Sequence, residues 1–84
     1  MKLVFSEEAW EDYQHWLRQD RKRIERINAL IKETARTPFV GTGKPEPLKH
    51  ALAGWWSRRI DGEHRFVYRV VRDELQIAQL RYHY

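Results

Sequence analysis

Cysteine is absent from these 84 residues, which excludes disulfide staples and any thiolate metal site. Long hydrophobic runs are absent too: Met1 to Phe5 is cut off by Ser6-Glu7-Glu8, too early for a signal-peptide core, and nothing approaches the length of a bilayer span. A cytoplasmic protein without membrane association is expected. Glycine and proline are scarce, four and three residues, and all but Gly62 lie between Pro38 and Gly54. The irregular structure is thereby concentrated in one segment, and the absence of repeats leaves room for a single domain over residues 1–84.

A chain this short buries only about 60% of its unfolded surface. The four tryptophans and the aliphatic residues must therefore pack densely, or a homodimer or tight protein partner must cover the remainder. Sixteen Lys and Arg oppose twelve Asp and Glu, a net charge of +4, with Arg58, Arg59, Arg65, Arg69, Arg72 and Arg81 making the second half the basic one. Such a cluster favours a polyanion through counterion release, although a basic run is more often only a solvated face.

Lys2 to Phe5 reads as a short strand. Ser6 is suited to cap a helix to about Gln19, with Glu7 and Glu8 set against the positive end of its dipole. In this helix Ala9, Trp10, Tyr13, Trp16 and Leu17 recur at three- and four-residue spacing, which predicts an aromatic stripe facing a core. Asp20 can cap a second helix, to about Arg36, with Ile24, Ile27, Leu30 and Ile31 on its apolar face and most of its basic residues elsewhere. The irregular segment Phe39 to Gly54 follows. Lys44 and Glu46 each precede a proline, which biases both toward extended backbone and reduces the entropy cost of presenting their side chains.

From Trp55 the pattern becomes β: Trp55 to Ile60, a turn at Asp61-Gly62, Arg65 to Val71, a turn at Arg72-Asp73-Glu74, and Leu75 to Tyr82. The fold class is α+β, two N-terminal helices packed on a mainly antiparallel sheet. A three-residue second turn would pair Val71 with Leu75, set Arg65 opposite Arg81 and bring His83 beside them; a two-residue turn would break that alignment. Trp55 and Trp56 must point to opposite faces, one to the core and one where a base could stack. His15, His50 and His64 have no zinc-ligand spacing and read as surface or hydrogen-bonding residues.

The last two residues of the sequence, His83 and Tyr84, deliver an imidazole and a phenol where the final strand-like run ends. Imidazole titrates near neutral pH, as proton transfer at a phosphate requires. RNA cleavage without a metal needs a base for the ribose 2′-hydroxyl, positive charge at phosphorus and an acid for the departing 5′-oxygen. Glu46 is a candidate base, Lys49 and Arg65 are candidate charge stabilisers with Arg59 as a further one, and His83 is a candidate acid. Tyr84 could stack on a base or orient a phosphate. No metal or other cofactor is expected. Each residue alone has a plainer reading: a solvated loop acid, a sheet arginine facing water or a carboxylate, a frayed tail.

The stretch Gly43-Lys44-Pro45-Glu46-Pro47-Leu48-Lys49-His50, followed by Trp56-Ser57-Arg58-Arg59-Ile60, Glu63-His64-Arg65 and Arg81-Tyr82-His83-Tyr84, resembles the YoeB toxin family of the RelE/ParE superfamily across essentially the whole chain. The resemblance implies a RelE-like, microbial ribonuclease-type fold. It also implies a ribosome-dependent endoribonuclease that cuts mRNA in the decoding site, inhibited by a cognate YefM-type antitoxin and able to form a homodimer. By motif, Glu46 is then the general base, Arg65 the phosphate stabiliser, His83 the general acid and Tyr84 a substrate-positioning residue, with Lys49 and Arg59 as phosphate contacts. The sequence departs from the family pattern at Val40, where many relatives carry a polar or charged residue, and at Thr42, where many carry a basic one. Two rivals remain: a ParE-like toxin that binds gyrase, and a non-enzymatic RNA-binding module.

Overall fold

The computed structural model describes residues 1–84. Strand β1 (Lys2–Phe5) leads into helices α1 (Glu7–Gln19) and α2 (Arg21–Arg36). The strands β2 (Glu46–Pro47), β3 (Trp56–Arg59), β4 (Arg65–Val71) and β5 (Glu74–Gln79) follow. The sheet runs β1-β5-β4-β3-β2, antiparallel except for the parallel β1–β5 pair. Both expected caps form, Ser6 Oγ accepting the Ala9 N–H at 3.0 Å and Asp20 Oδ1 the Arg23 N–H at 3.0 Å. Each satisfies a donor that a helix start leaves orphaned.

Period-two alternation sorts the sheet into two faces. Phe66, Tyr68, Leu75 and Ile77 meet Ala9, Trp16, Ile24, Ile27, Leu30 and Ile31 in one buried core. Trp56 is on this side and packs on the core and on Phe39, whereas Trp55 lies under the Arg69 guanidinium at 4.4 Å. Trp10 and Leu17 depart from the expected core stripe, being 52% and 53% exposed. The apolar arc of α1 is wider than the sheet beneath it, so Trp10 overhangs the edge strand and packs against Phe5 and Tyr13 at ring separations of 5.7 and 6.1 Å.

The β4–β5 hairpin departs from the expected register and then recovers it. Val71 pairs with Glu74, so the turn is the two residues Arg72-Asp73, with Arg72 at φ 57°. Farther along, Tyr68 pairs with Ile77 but Val67 with Gln79, so Ala78 is an extra residue on β5. This bulge restores the register that a three-residue turn would have produced, and Ser6 Oγ donates to the Ala78 carbonyl at 2.8 Å. Strand β5 ends at Gln79 rather than Tyr82.

One side chain ties the irregular segment to both layers. Arg58 points into the helix-facing side, fully buried, and is therefore no part of the expected polyanion patch. Its Nε donates to Tyr68 Oη at 3.2 Å, Nη1 to Glu33 and to the Thr42 carbonyl, and Nη2 to the carbonyls of Thr37 and Val40 at 2.5 and 3.0 Å. All five guanidinium donors are used. Glu33 completes the clamp by accepting the Thr42 N–H and hydroxyl at 2.7 and 2.9 Å, which gives Thr42 a local structural role. Lys44 departs from the extended backbone expected before proline, sitting at φ 53°. Gly43 lies at φ 85°, and with no Cβ, which would stand 3.0 Å from the Arg59 carbonyl, it lets the loop rest directly on β3.

Removing Arg58 leaves three loop carbonyls without their donor, so Arg58→Met is expected to destabilise the chain by about 3 kcal/mol or more, read by urea denaturation. Stability should also have an acid limb. The Thr42 N–H and hydroxyl, aided by Arg58, hold the Glu33 carboxyl below its ordinary value against the opposing effect of burial. A folded-state pKa below the unfolded one stabilises above the unfolded value and is lost as pH falls through the folded one. Asp12 runs the other way, because burial pushes its carboxyl up against the opposing Leu80 N–H. Its contribution is present below the unfolded value and lost as pH rises through the folded one. In melting-temperature profiles taken from neutral pH down into the acid range, Glu33→Gln should lower stability at neutral pH and flatten the acid decline below about pH 5; an unchanged slope would exclude Glu33 as its source.

Candidate functional site

The site is assembled on the sheet face turned away from the helices. Glu46 pairs with Ser57 and Arg59 with Arg65, so cross-strand pairing and alternation put Glu46, Arg59 and Arg65 on one face. Glu46 is extended, as expected before proline, because β2 pairs with β3. The preceding loop is fastened to β3 by the Arg59 N–H, which donates to the Gly43 carbonyl at 2.7 Å.

Tyr84 closes the other side. Its hydroxyl donates to Glu46 Oε1 at 3.2 Å, bridging the tail to β2. Glu46, Lys49, His50 and Tyr84 share a recess of about 500 Å³. A carboxylate, an ammonium and a phenol thus face one volume large enough for a nucleotide-sized group.

Arg65 is 8% exposed, more enclosed than a sheet arginine facing water. Its Nη1 donates to the carbonyls of Asp61 and His64 at 2.8 and 3.1 Å. Nε and Nη2 make no hydrogen bond in the chain and keep access to solvent, which leaves a fork for an incoming anion. The carbonyls that hold Nη1 belong to the β3–β4 turn, where Asp61 Oδ1 accepts the backbone N–H groups of Glu63 and His64 at 2.8 and 2.7 Å. Burial would raise the Asp61 carboxyl, but these amides and Arg23 outweigh it and hold it low.

Past Gln79 the tail is pinned by backbone bonds to helix α1 and to the β3–β4 turn. Asp12 Oδ2 accepts the Leu80 N–H at 3.0 Å, and Trp16 Nε1 donates to the Leu80 carbonyl at 2.8 Å. The Tyr82 N–H donates to His64 Nδ1 at 2.6 Å, and the Tyr82 carbonyl accepts the Arg65 N–H at 3.0 Å. Tyr82 lies at φ 63°, so the chain turns there. His83 is consequently not carried by strand alternation. It is exposed, with Nδ1 3.1 Å from the Tyr84 carbonyl and its ring 4.5 Å from the Tyr84 ring, and no hydrogen bond joins it to Glu46 or Arg65.

Of the six residues singled out from sequence, Glu46, Lys49 and Tyr84 line one recess, Arg59 and Arg65 pair beside it, and His83 stands on the adjoining tail. Sequence reasoning missed the holding roles of Arg58, Glu33 and Asp12; His64 is a hydrogen-bonding residue, as expected, but its partner, the Tyr82 N–H, was not legible. The Asp61-Gly62 turn signal was visible, but its effect on Arg65 depends on carbonyl directions. No three His, Asp or Glu side chains converge as metal ligands, and no helix is long and apolar enough to cross a membrane.

Comparison with known proteins gives the family. A sequence model of the YoeB-like toxin of bacterial type II toxin-antitoxin systems matches residues 5–84. Toxin YoeB of Escherichia coli K12 is 61% identical over 84 residues, covering both chains in full. The solved YoeB/ParE toxin of Agrobacterium tumefaciens is 55% identical and superposes with a TM-score of 0.97 over the whole of both chains. Staphylococcus aureus YoeB, 44% identical and covered to 98%, has been solved as a dimer and in a heterotetrameric complex with YefM; this chain is covered in full, with TM-scores of 0.93 and 0.92. Matched along essentially its whole length in sequence and in fold, the chain belongs to the YoeB-like toxin family of bacterial type II toxin-antitoxin systems.

Proposed function

We propose that the chain is a ribosome-dependent mRNA endoribonuclease, an mRNA interferase that inhibits translation in the cytoplasm by metal-independent acid–base cleavage. The observation that carries the reading is the Tyr84–Glu46 bridge across a recess shared with Lys49. It sets a carboxylate, a cation and an aromatic ring around one volume, with the open fork of Arg65 on the same sheet face.

In this mechanism Glu46 takes the proton from the ribose 2′-hydroxyl as the 2′-oxygen attacks phosphorus. Arg65 receives the charge that develops on the non-bridging oxygens, with Lys49 and Arg59 as further phosphate contacts. The bond from phosphorus to the 5′-oxygen breaks, and His83 gives that oxygen a proton. The products are a 2′,3′-cyclic phosphate and a 5′-hydroxyl, with atoms and charge balanced by one proton accepted and one donated. Tyr84 orients the substrate, and its bond to Glu46 holds the base before RNA arrives.

A YefM-type antitoxin is the proposed inhibitor and a second copy of the chain the proposed partner in a homodimer, by analogy with the assemblies of the Staphylococcus aureus relative.

On programmed ribosomes, single-turnover cleavage with mapping of 5′ ends should show wild-type cuts in the decoding site. Rates for His83→Ala and Glu46→Gln should fall by about two to four powers of ten with ribosome binding retained. Full cleavage by His83→Ala would remove it as the acid; ribosome binding by wild type without any cut would overturn the nuclease reading. Affinity for the antitoxin should weaken as salt rises, because Arg59 and the recess cations meet an acidic partner. Affinity independent of salt in calorimetric titrations would place the antitoxin contact elsewhere.

A further inference from the structure

His64 links the two halves of this site without belonging to either. It is 7% exposed, edge-on to the Trp16 ring at 4.9 Å. Its N–H donates to Asp61 Oδ1 at 2.7 Å and its carbonyl accepts the Ile60 N–H at 3.0 Å. The same carbonyl accepts Arg65 Nη1 at 3.1 Å, while the ring Nδ1 accepts the Tyr82 N–H at 2.6 Å. One residue therefore touches both the guanidinium assigned to the phosphate and the turn from which His83 and Tyr84 project.

The turn needs such support. Tyrosine at φ 63° is in the left-handed region, which is unfavourable outside glycine and persists only where surrounding contacts over-determine it. Tyr82 is held through its N–H by His64 and through its carbonyl by Arg65, and its ring lies 5.5 Å from the His64 ring. A backbone N–H can be accepted only by an unprotonated Nδ1, so a neutral ring must carry its proton on Nε2, which lies 3.6 Å from Glu63 Oε1.

We propose that His64 is a positioning residue: as the Nε2–H tautomer it latches the Tyr82 turn through Nδ1, and so sets where His83 and Tyr84 stand against Glu46. The catalytic consequence rests on the nuclease reading; the latch itself does not.

Two measurements test it on the intact chain. Long-range proton–nitrogen correlation spectra at neutral pH should show His64 with its proton on Nε2 and a slowly exchanging Tyr82 amide. Single-turnover cleavage of ribosome-bound mRNA should then separate two variants of known melting temperature. Asparagine puts an oxygen where Nδ1 stood, whereas leucine keeps apolar bulk and removes the acceptor. Cleavage by His64→Leu should slow by about tenfold or more with ribosome affinity retained, and His64→Asn should stay within about threefold of wild type. The proposal fails if His64 carries a proton on Nδ1, if His64→Leu cuts at the wild-type rate, or if His64→Asn is no faster than His64→Leu. A wild-type chain that binds ribosomes without cutting would defeat the nuclease reading alone, and the tautomer and the Tyr82 amide would then decide the latch.

Discussion

The site depends on a buried guanidinium that takes no part in its chemistry. Arg58 gives all five donors to the chain: three loop carbonyls, the Glu33 carboxylate and the Tyr68 hydroxyl. A charge removed from water is tolerated only when paired and fully hydrogen-bonded, and that demand constrains the backbone of residues 37–43. The loop comes to rest on β3, and the two-residue strand that presents Glu46 follows from it. Tyr68 is drawn in too, its hydroxyl donating to the Pro38 carbonyl at 2.6 Å.

The tail obeys a comparable rule. Beyond Gln79 one backbone bond remains, from the Arg65 N–H to the Tyr82 carbonyl, and side chains satisfy other groups of its backbone: Asp12 and Trp16 at Leu80, then His64 at Tyr82. Helix α1 therefore does more than cover the sheet, because its polar groups fix the direction of the tail. The candidate site lies where these two non-regular segments meet, and the Tyr84–Glu46 bond is their junction. A rigid sheet carrying short pinned segments gives precise placement on a small chain that has neither disulfide nor thiolate metal site.

Charge is divided by depth. Arg58 and most of Arg65 are withdrawn from solvent, whereas Arg59, Arg69 and Arg72 are exposed. The basic half of the sequence thus mixes a structural cation, a partly sequestered anion fork and a solvated surface. Only the last two have donors to spare for a polyanion, and in the fork the unpaired donors are held by the bonds of Arg65 Nη1 to the Asp61 and His64 carbonyls. A positive net charge favours polyanions in general, while buried partners decide which arginine keeps donors free.

Both helices, their caps Ser6 and Asp20, strand β4 and the opposite orientations of Trp55 and Trp56 were determined by the sequence itself, because capping and periodicity act within a few residues. The candidate residues were legible as a set, since their chemical types and motifs are local facts. What only the tertiary structure decided was their arrangement. The Ala78 bulge depends on how β4 and β5 pair and on a contact to Ser6, and Trp10 is exposed because the sheet ends beneath it. Arg58 and Arg59, adjacent and identical in sequence, have opposite fates because alternation sends one to the core and one to the site. His64 reads like any other histidine until the tail folds back to place an amide at its Nδ1. Such roles come from groups distant in sequence meeting at hydrogen-bond range, a condition that local propensity does not encode.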